Sequence, residues 1–221
     1  MQWTDESIAF LRDAAAMNRY YETIAERITP QLPENAHVCD AGCGIGELSL
    51  ALKPYCRHVT AVDADELAIK TLEAHLIKGV TAICGDVEAL TLEKPYDAMV
   101  FCLFGRTEDT LRIARKQCRG KIFLVKSDYS NHRFSAGKVS LGEYTAGSTE
   151  NVLREKGVVP SPLRRRLFRR RKQYETASFD LRGARRRQVD ADPPPAGRLA
   201  YVHILSAPHD GSAEGDSGHS L

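Results

Sequence analysis

"VCDAGCGIGEL", residues 38–48, decides how the chain is read. Gly42, Gly44 and Gly46 stand at every second position, directly after an apolar run that ends at Asp40 and Ala41. Glycine in such places permits positive φ and lets the backbone come close to a bound group. The stretch reads as the end of a strand, a tight loop and the start of a helix.

The same rhythm continues outward. Strand-like runs are "AHVCDA" (36–41), "HVTAVD" (58–63), "VTAICGD" (80–86), "YDAMVFCLF" (96–104) and "KIFLVK" (121–126). Between them lie helical runs, "GELSLALKPYC" (46–56), "DELAIKTLEAHLIKG" (65–79), a short "DVEALTLEK" (86–94) and "TEDTLRIARKQC" (107–118). Strands apolar on both faces, separated by amphipathic helices, imply an α/β fold: a doubly wound, mostly parallel sheet with helices on both faces. Upstream, Ile8, Leu11, Ala15, Ile24 and Ile28 give broken helical spacing over 5–28, stopped by Pro30 and Pro33. Downstream, "STENVLREKG" (148–157) reads as a helix ending at Gly157, and "RLAYVHILSAP" (198–208) as a late strand. "SPLRRRLFRRRK" (161–172) reads as a strand or a basic helix, and "DLRGARRRQVDADPPPAG" (180–197) as a loop. The expected organisation is a helical lead-in over 1–35, one domain over 36–206, and a polar Gly/Ser-rich tail over 207–221, expected to be disordered.

With 221 residues the chain has the length of one domain. No apolar run approaches ~20 residues, so no membrane span is indicated. "MQWTDESIAF" is not a basic-then-apolar leader, which gives a cytoplasmic expectation. Six cysteines, at 39, 43, 56, 84, 102 and 118, form no CxxC pair. Cys39, Cys84 and Cys102 lie in apolar runs and read as reduced core thiols. The net charge of +2 is uneven: residues 163–187 hold eleven Lys/Arg and two Asp/Glu, leaving 20 basic and 27 acidic residues elsewhere.

A ligand belongs at the carboxyl ends of the strands, where the sheet order reverses. A dinucleotide fingerprint would be G-x-G-x-x-G, with a pyrophosphate on the helix N-terminus. Glu47 occupies the third glycine's place, and its charge would repel a pyrophosphate. NAD-dependent chemistry is therefore disfavoured.

"VCDAGCGIG" resembles motif I of the class I S-adenosylmethionine-dependent methyltransferases: a strand, an acid, then G-x-G-x-G. The likeness covers roughly residues 20–126. "TAVDAD" sets Asp63 at the end of the second strand, where the family's acid holds both ribose hydroxyls. "ICGDVEAL" sets Asp86 where the family contacts the adenine amino group. The fourth strand's end, at Cys102, faces the methyl group in this family. The resemblance thus implies S-adenosylmethionine as cofactor. It lies against Asp40, Ala41, Gly42, Cys43, Gly44 and Gly46, then Asp63 and Ala64, then Asp86 and Val87, with Cys102 nearby. The chemistry agrees, because the cofactor's ammonium, ribose hydroxyls and adenine amino group are all donors, and carboxylates accept. Asp40 would meet the ammonium directly or through water.

Each acid also has a plain structural reading. Asp40 can cap the following turn. Asp63 can cap the next helix with Glu66 as capping-box partner, in competition with Asp65. Asp86 can cap the short helix after it.

The methyl acceptor is less legible. Amino-methylating nucleic-acid enzymes of the family carry [N/D/S]-P-P-[F/Y/W] where this chain has "FCLFG". Carboxylates for a magnesium site are also lacking there, so no metal is expected. Cys102 reads as a strand thiol rather than a nucleophile, since no proline accompanies it. "VKSDYSNHRF" (125–134) follows the fifth strand, and supplies His132 as candidate general base and Lys126 and Arg133 as anion contacts. A solvated loop is the plain reading of His132. Arg106 is another anion contact. "NRYYETIAERI" (18–28) resembles the lead-in helix of small-molecule members, with Tyr20 and Tyr21 placed to cover cofactor or substrate.

The reading is a methyltransferase acting on an oxygen or nitrogen of a small molecule. An RNA methyltransferase using the basic 163–187 segment is the first alternative. That segment also reads as an acidic-partner contact or a charged edge strand. A non-catalytic cofactor-binding regulatory subunit is the second alternative.

Overall fold

A computed structural model describes residues 2–127, 145–158 and 200–206. In chain order these form α1 (Asp5–Met17), α2 (Tyr20–Ile28), β1 (His37–Ala41), α3 (Glu47–Leu52), β2 (His58–Asp63), α4 (Glu66–Glu73), β3 (Val80–Cys84), β4 (Tyr96–Cys102), α5 (Thr107–Gln117), β5 (Cys118–Ser127), α6 (Ala146–Glu155) and β6 (Ala200–Ser206). Short 3₁₀ turns cover Thr29–Gln31, Lys53–Tyr55 and Val87–Ala89.

The six strands form one sheet in the order β3-β2-β1-β4-β5-β6. The first five run parallel, and β6 pairs antiparallel with β5, Leu205 opposite Ile122. Alternate residues of each central strand enter different cores, so both faces of the sheet are buried. Val38, Val100 and Phe123 pack beneath α2 and α3 with Ile24, Ile28 and Leu52. Cys39, Met99, Phe101 and Leu124 pack beneath α5 and α6 with Leu111, Ala114 and Leu153. The sequence alternation thus becomes a three-layer α/β structure. Strand order reverses between β1 and β4, and the crevice at their carboxyl ends is where a ligand is expected.

Several expectations change. The helix read over 5–28 is two helices. Asn18 ends α1 with extended backbone (φ −146°, ψ 161°), and its Oδ1 accepts from the Tyr20 N–H at 2.8 Å. Its amide also donates to the Ala14 carbonyl. A side chain that bonds main chain on both sides competes with the helical ladder. The break lets α1 turn over the glycine loop, where Ile8, Trp3 and Leu11 pack on Ile45 and Ala68. The third helix stops at Leu52 and gives way to the 3₁₀ turn containing Pro54, which has no N–H for the ladder. α4 ends at Glu73, well before Gly79, and Leu76 turns left-handed at φ 48°.

Cys84, read as a core thiol, is exposed, because β3 is the edge of the sheet. Cys39 is buried and Cys102 half-buried. The late helix and the late strand form as expected. The basic 163–187 segment, the 180–197 loop and the 207–221 tail lie outside the described residues, as do His132 and Arg133. Among the described residues no helix is long and apolar enough to cross a membrane.

Candidate functional site

At the carboxyl ends of β1, β2 and β4 lies a cavity of about 820 Å³. Its lining includes Asp40, Gly42, Cys43 and Gly44 from the first strand end, Asp63 and Ala64 from the second, and Asp86 and Val87 after the third. Cys102 through Gly105, after the fourth, complete that side. Trp3, just ahead of α1, reaches in together with Leu11 of α1 and Tyr21 of α2. Three acids far apart in sequence therefore meet in one space.

The glycines make the loop possible. Gly42, Gly44 and Gly46 have φ of 70°, 54° and 85°, the left-handed region that other residues enter at a cost. A side chain at Gly42 would collide with the Phe104 ring. At Gly44 a Cβ would lie 2.6 Å from Trp3 Cζ2. Gly42 N–H and Cys43 N–H both donate to the Val62 carbonyl, at 2.8 and 3.0 Å, which folds the loop onto β2.

Asp40 is 1% exposed. Its Oδ2 accepts from the Ser49 hydroxyl of α3 at 2.6 Å, so it does not cap the turn. Its Oδ1 has no partner among the described residues. Burial pushes the carboxyl up to about 6, against the Ser49 hydrogen bond, which lowers it. A buried carboxylate oxygen without a donor is costly, and a cationic ligand at the cavity wall would supply one. Sequence reasoning does not single out Ser49. Its signal is a polar residue amid the apolar positions of "ELSLAL".

Asp63 does not cap α4 either. Asp65 does, accepting from Leu67 and Ala68 N–H at 3.0 and 3.1 Å. Asp63 Oδ2 instead accepts from Gly44 N–H at 2.8 Å, and Oδ1 from Asp65 N–H at 3.0 Å. The carboxylate is thereby fixed at the cavity edge. Asp86 does cap: its Oδ1 accepts from Glu88 N–H at 2.9 Å. It also lines the cavity, so the capping role and a ligand role are compatible.

Cys43 and Cys102 face the same space, and burial raises both thiols far above the usual range. Neither is a ready thiolate, which argues against a nucleophilic Cys102. Both tyrosines of α2 pack against the core, and Tyr21 also lines the cavity. Their rings meet edge to face at 5.1 Å. Ala41 is buried in β1 and Gly46 is the N-cap ahead of α3, both behind the lining.

Lys126 is not at the mouth. It is 1% exposed, and its Nζ donates to the Phe104 and Gly105 carbonyls at 3.0 and 2.7 Å. Burial lowers its pKa to about 8. Its position one residue short of the strand end gives no sign of this. Arg106 is exposed and follows the last lining residue, Gly105. Trp3, Leu11, Leu103 and Phe104 also line the cavity, and sequence reasoning misses all four. Among the described residues no group of three His, Cys, Asp or Glu is placed to hold a metal ion.

Residues 38–119 match the family model of a methyltransferase domain. No curated protein sequence matches the chain. Among solved structures, a TehB-like SAM-dependent methyltransferase from Corynebacterium glutamicum is similar at 17% identity and a TM-score of 0.59, covering 92% of this chain and 97% of that one. Magnesium protoporphyrin IX methyltransferase from Synechocystis, solved with bound SAM, has 14% identity and a TM-score of 0.54, with 94% and 86% covered. The N-methyltransferase NodS from Bradyrhizobium japonicum has 13% identity and a TM-score of 0.54, with 90% and 97% covered. At these identities the shared feature is the fold, and the matched domain contains all three strand-end acids. Residues 38–119 are thus similar to a methyltransferase domain, and the fold of the chain is that of the class I, Rossmann-like S-adenosylmethionine-dependent methyltransferases.

Proposed function

We propose that the chain transfers the methyl group to an oxygen or nitrogen of a small molecule, and that the cavity at β1, β2 and β4 holds the cofactor. The observation that carries the site is Asp40 Oδ1, a buried acceptor without a donor among the described residues, at the wall of that cavity. The cofactor's ammonium belongs there, its ribose hydroxyls at Asp63 and its adenine amino group at Asp86. Gly42 and Gly44, with Ala41, Cys43 and Gly46 around them, form the close-fitting loop, and Ala64 and Val87 flank the nucleoside.

The bound cofactor supplies a methyl on a sulfonium that is electrophilic without further activation. The chain's part is to orient the acceptor and exclude water. Trp3 and Leu11 of the lead-in (1–35), with Tyr21, Leu103 and Phe104, give that space an apolar wall. A cavity of about 820 Å³ falls within the range of small-ligand sites and suits the cofactor, while the "FCLFG" at the end of β4, in place of [N/D/S]-P-P-[F/Y/W], speaks against a nucleic-acid amino group as acceptor. His132 is the proposed base, a short way past the carboxyl end of β5 in the chain. Arg106 and Arg133 are the proposed anion contacts.

The test offers tritium-labelled cofactor to a low-mass metabolite pool and, separately, to total RNA, and measures S-adenosylhomocysteine formed. Turnover with the metabolite pool supports the proposal. Turnover confined to RNA, abolished by ribonuclease and steeply weakened by salt, overturns it in favour of the basic-segment reading. Cofactor binding without any transfer favours the regulatory subunit.

A further inference from the structure

We infer that Lys126 is a positioning residue: its ammonium clamps the strained loop between β4 and α5 in the shape that seats Phe104 against the glycine loop. The loop is "CLFG", residues 102–105. Leu103 has φ 55° and Gly105 φ 64°. A leucine in the left-handed region carries strain, and this one is 51% exposed, so its own packing does little to offset it.

Two anchors from β5 hold the turn. Leu103 N–H donates to the Val125 carbonyl at 2.9 Å. On the far side, Lys126 Nζ donates to the Phe104 and Gly105 carbonyls. A buried ammonium is expensive, yet two of its three donors are directed at main chain within one loop. Between those anchors the Phe104 ring occupies the space that a side chain at Gly42 would need, and stacks on Phe101 at 6.5 Å and 12°. Lys126 therefore acts through the loop on the cavity wall, without facing the cavity itself.

This rests on the cavity being the cofactor site, and the experiment separates the two. S-adenosylhomocysteine binding is measured by calorimetry on wild type, Lys126→Met, Leu103→Gly and the double variant. Methionine keeps the buried stem and removes the donors. Lys126→Met is expected to weaken binding about tenfold or more, from loss of two charge-assisted bonds. Leu103→Gly alone removes an apolar wall contact together with the strain of a left-handed leucine, and its own change in affinity is the baseline for the double variant. Adding it to Lys126→Met is expected to recover at least about half of the loss on a logarithmic scale, a coupling that a mere packing role would not give. Wild-type affinity in Lys126→Met, or losses that simply add, overturns the inference. Should Lys126→Met fail to fold alone, a folded, binding double variant supports the clamp and an unfolded one overturns it. Wild type that does not bind the compound removes the cofactor site, and the inference with it.

Discussion

Asp63 Oδ2 accepts from Gly44 N–H at 2.8 Å, so the acid at the tip of β2 is tied to the loop that follows β1. The bond fixes the carboxylate while leaving lone pairs for a diol. Asp63→Ala removes both the acceptor and the tether. Binding of S-adenosylhomocysteine is expected to weaken by at least ~2 kcal/mol, read by calorimetry. Unchanged affinity would remove the ribose assignment.

Asp40 sets a pH dependence. Burial raises its carboxyl to about 6 in the ligand-free fold. The folded state therefore holds this proton more tightly than the unfolded chain does. The resulting stabilisation is present below the unfolded value, near ~4, and is lost as pH rises through about 6, up to ~3 kcal/mol in all. Denaturant melts on either side of that window are expected to show this trend in wild type relative to Asp40→Asn. Ligand binding should run the other way. A cation at Oδ1 needs the ionised acid, so affinity is expected to fall as the medium is acidified through that range in wild type, and to vary less in the variant.

Trp3 is the one tryptophan in the sequence. Its backbone N–H donates to Asp65 Oδ2 at 2.9 Å, and its ring lies against Gly44. Its emission is expected to change when S-adenosylhomocysteine is titrated in, with the midpoint found by calorimetry. Absence of any change would place the ligand away from this wall.

Gly44→Ala imposes φ 54° on a residue with a side chain and drives its Cβ into Trp3. A stability loss of roughly 1–3 kcal/mol is expected, accompanied by weaker binding. A folded variant with wild-type affinity would show that the loop tolerates a side chain where the ligand is placed.

The sheet is readable in the sequence because each central strand is apolar at consecutive positions, and that pattern needs no knowledge of partners. Asp40, Asp63 and Asp86 are readable for a related reason, since each ends such a run. The choice between cap and ligand is not. It depends on whether Asp63 or Asp65 reaches the first turn of α4, a matter of side-chain direction. Trp3 is hidden because its place is set by a hydrogen bond to Asp65, on the far side of two strands in the chain. Lys126 misleads because nothing local says that the loop ahead of α5 folds back over it. The division of the first helix escapes notice because Asn18 acts through its amide, which periodicity does not register.

The strand at Ala200–Ser206 has a consequence for how the protein is made. It pairs with β5, whose Phe123 and Val125 are fully buried, from a point far later in the chain. A nascent chain leaving the ribosome exposes that unpaired edge until residues 200–206 have been translated. Long-range pairing of this kind closes slowly and invites association in the interval. Premature termination ahead of Ala200 is therefore expected to yield insoluble polypeptide rather than a smaller working enzyme.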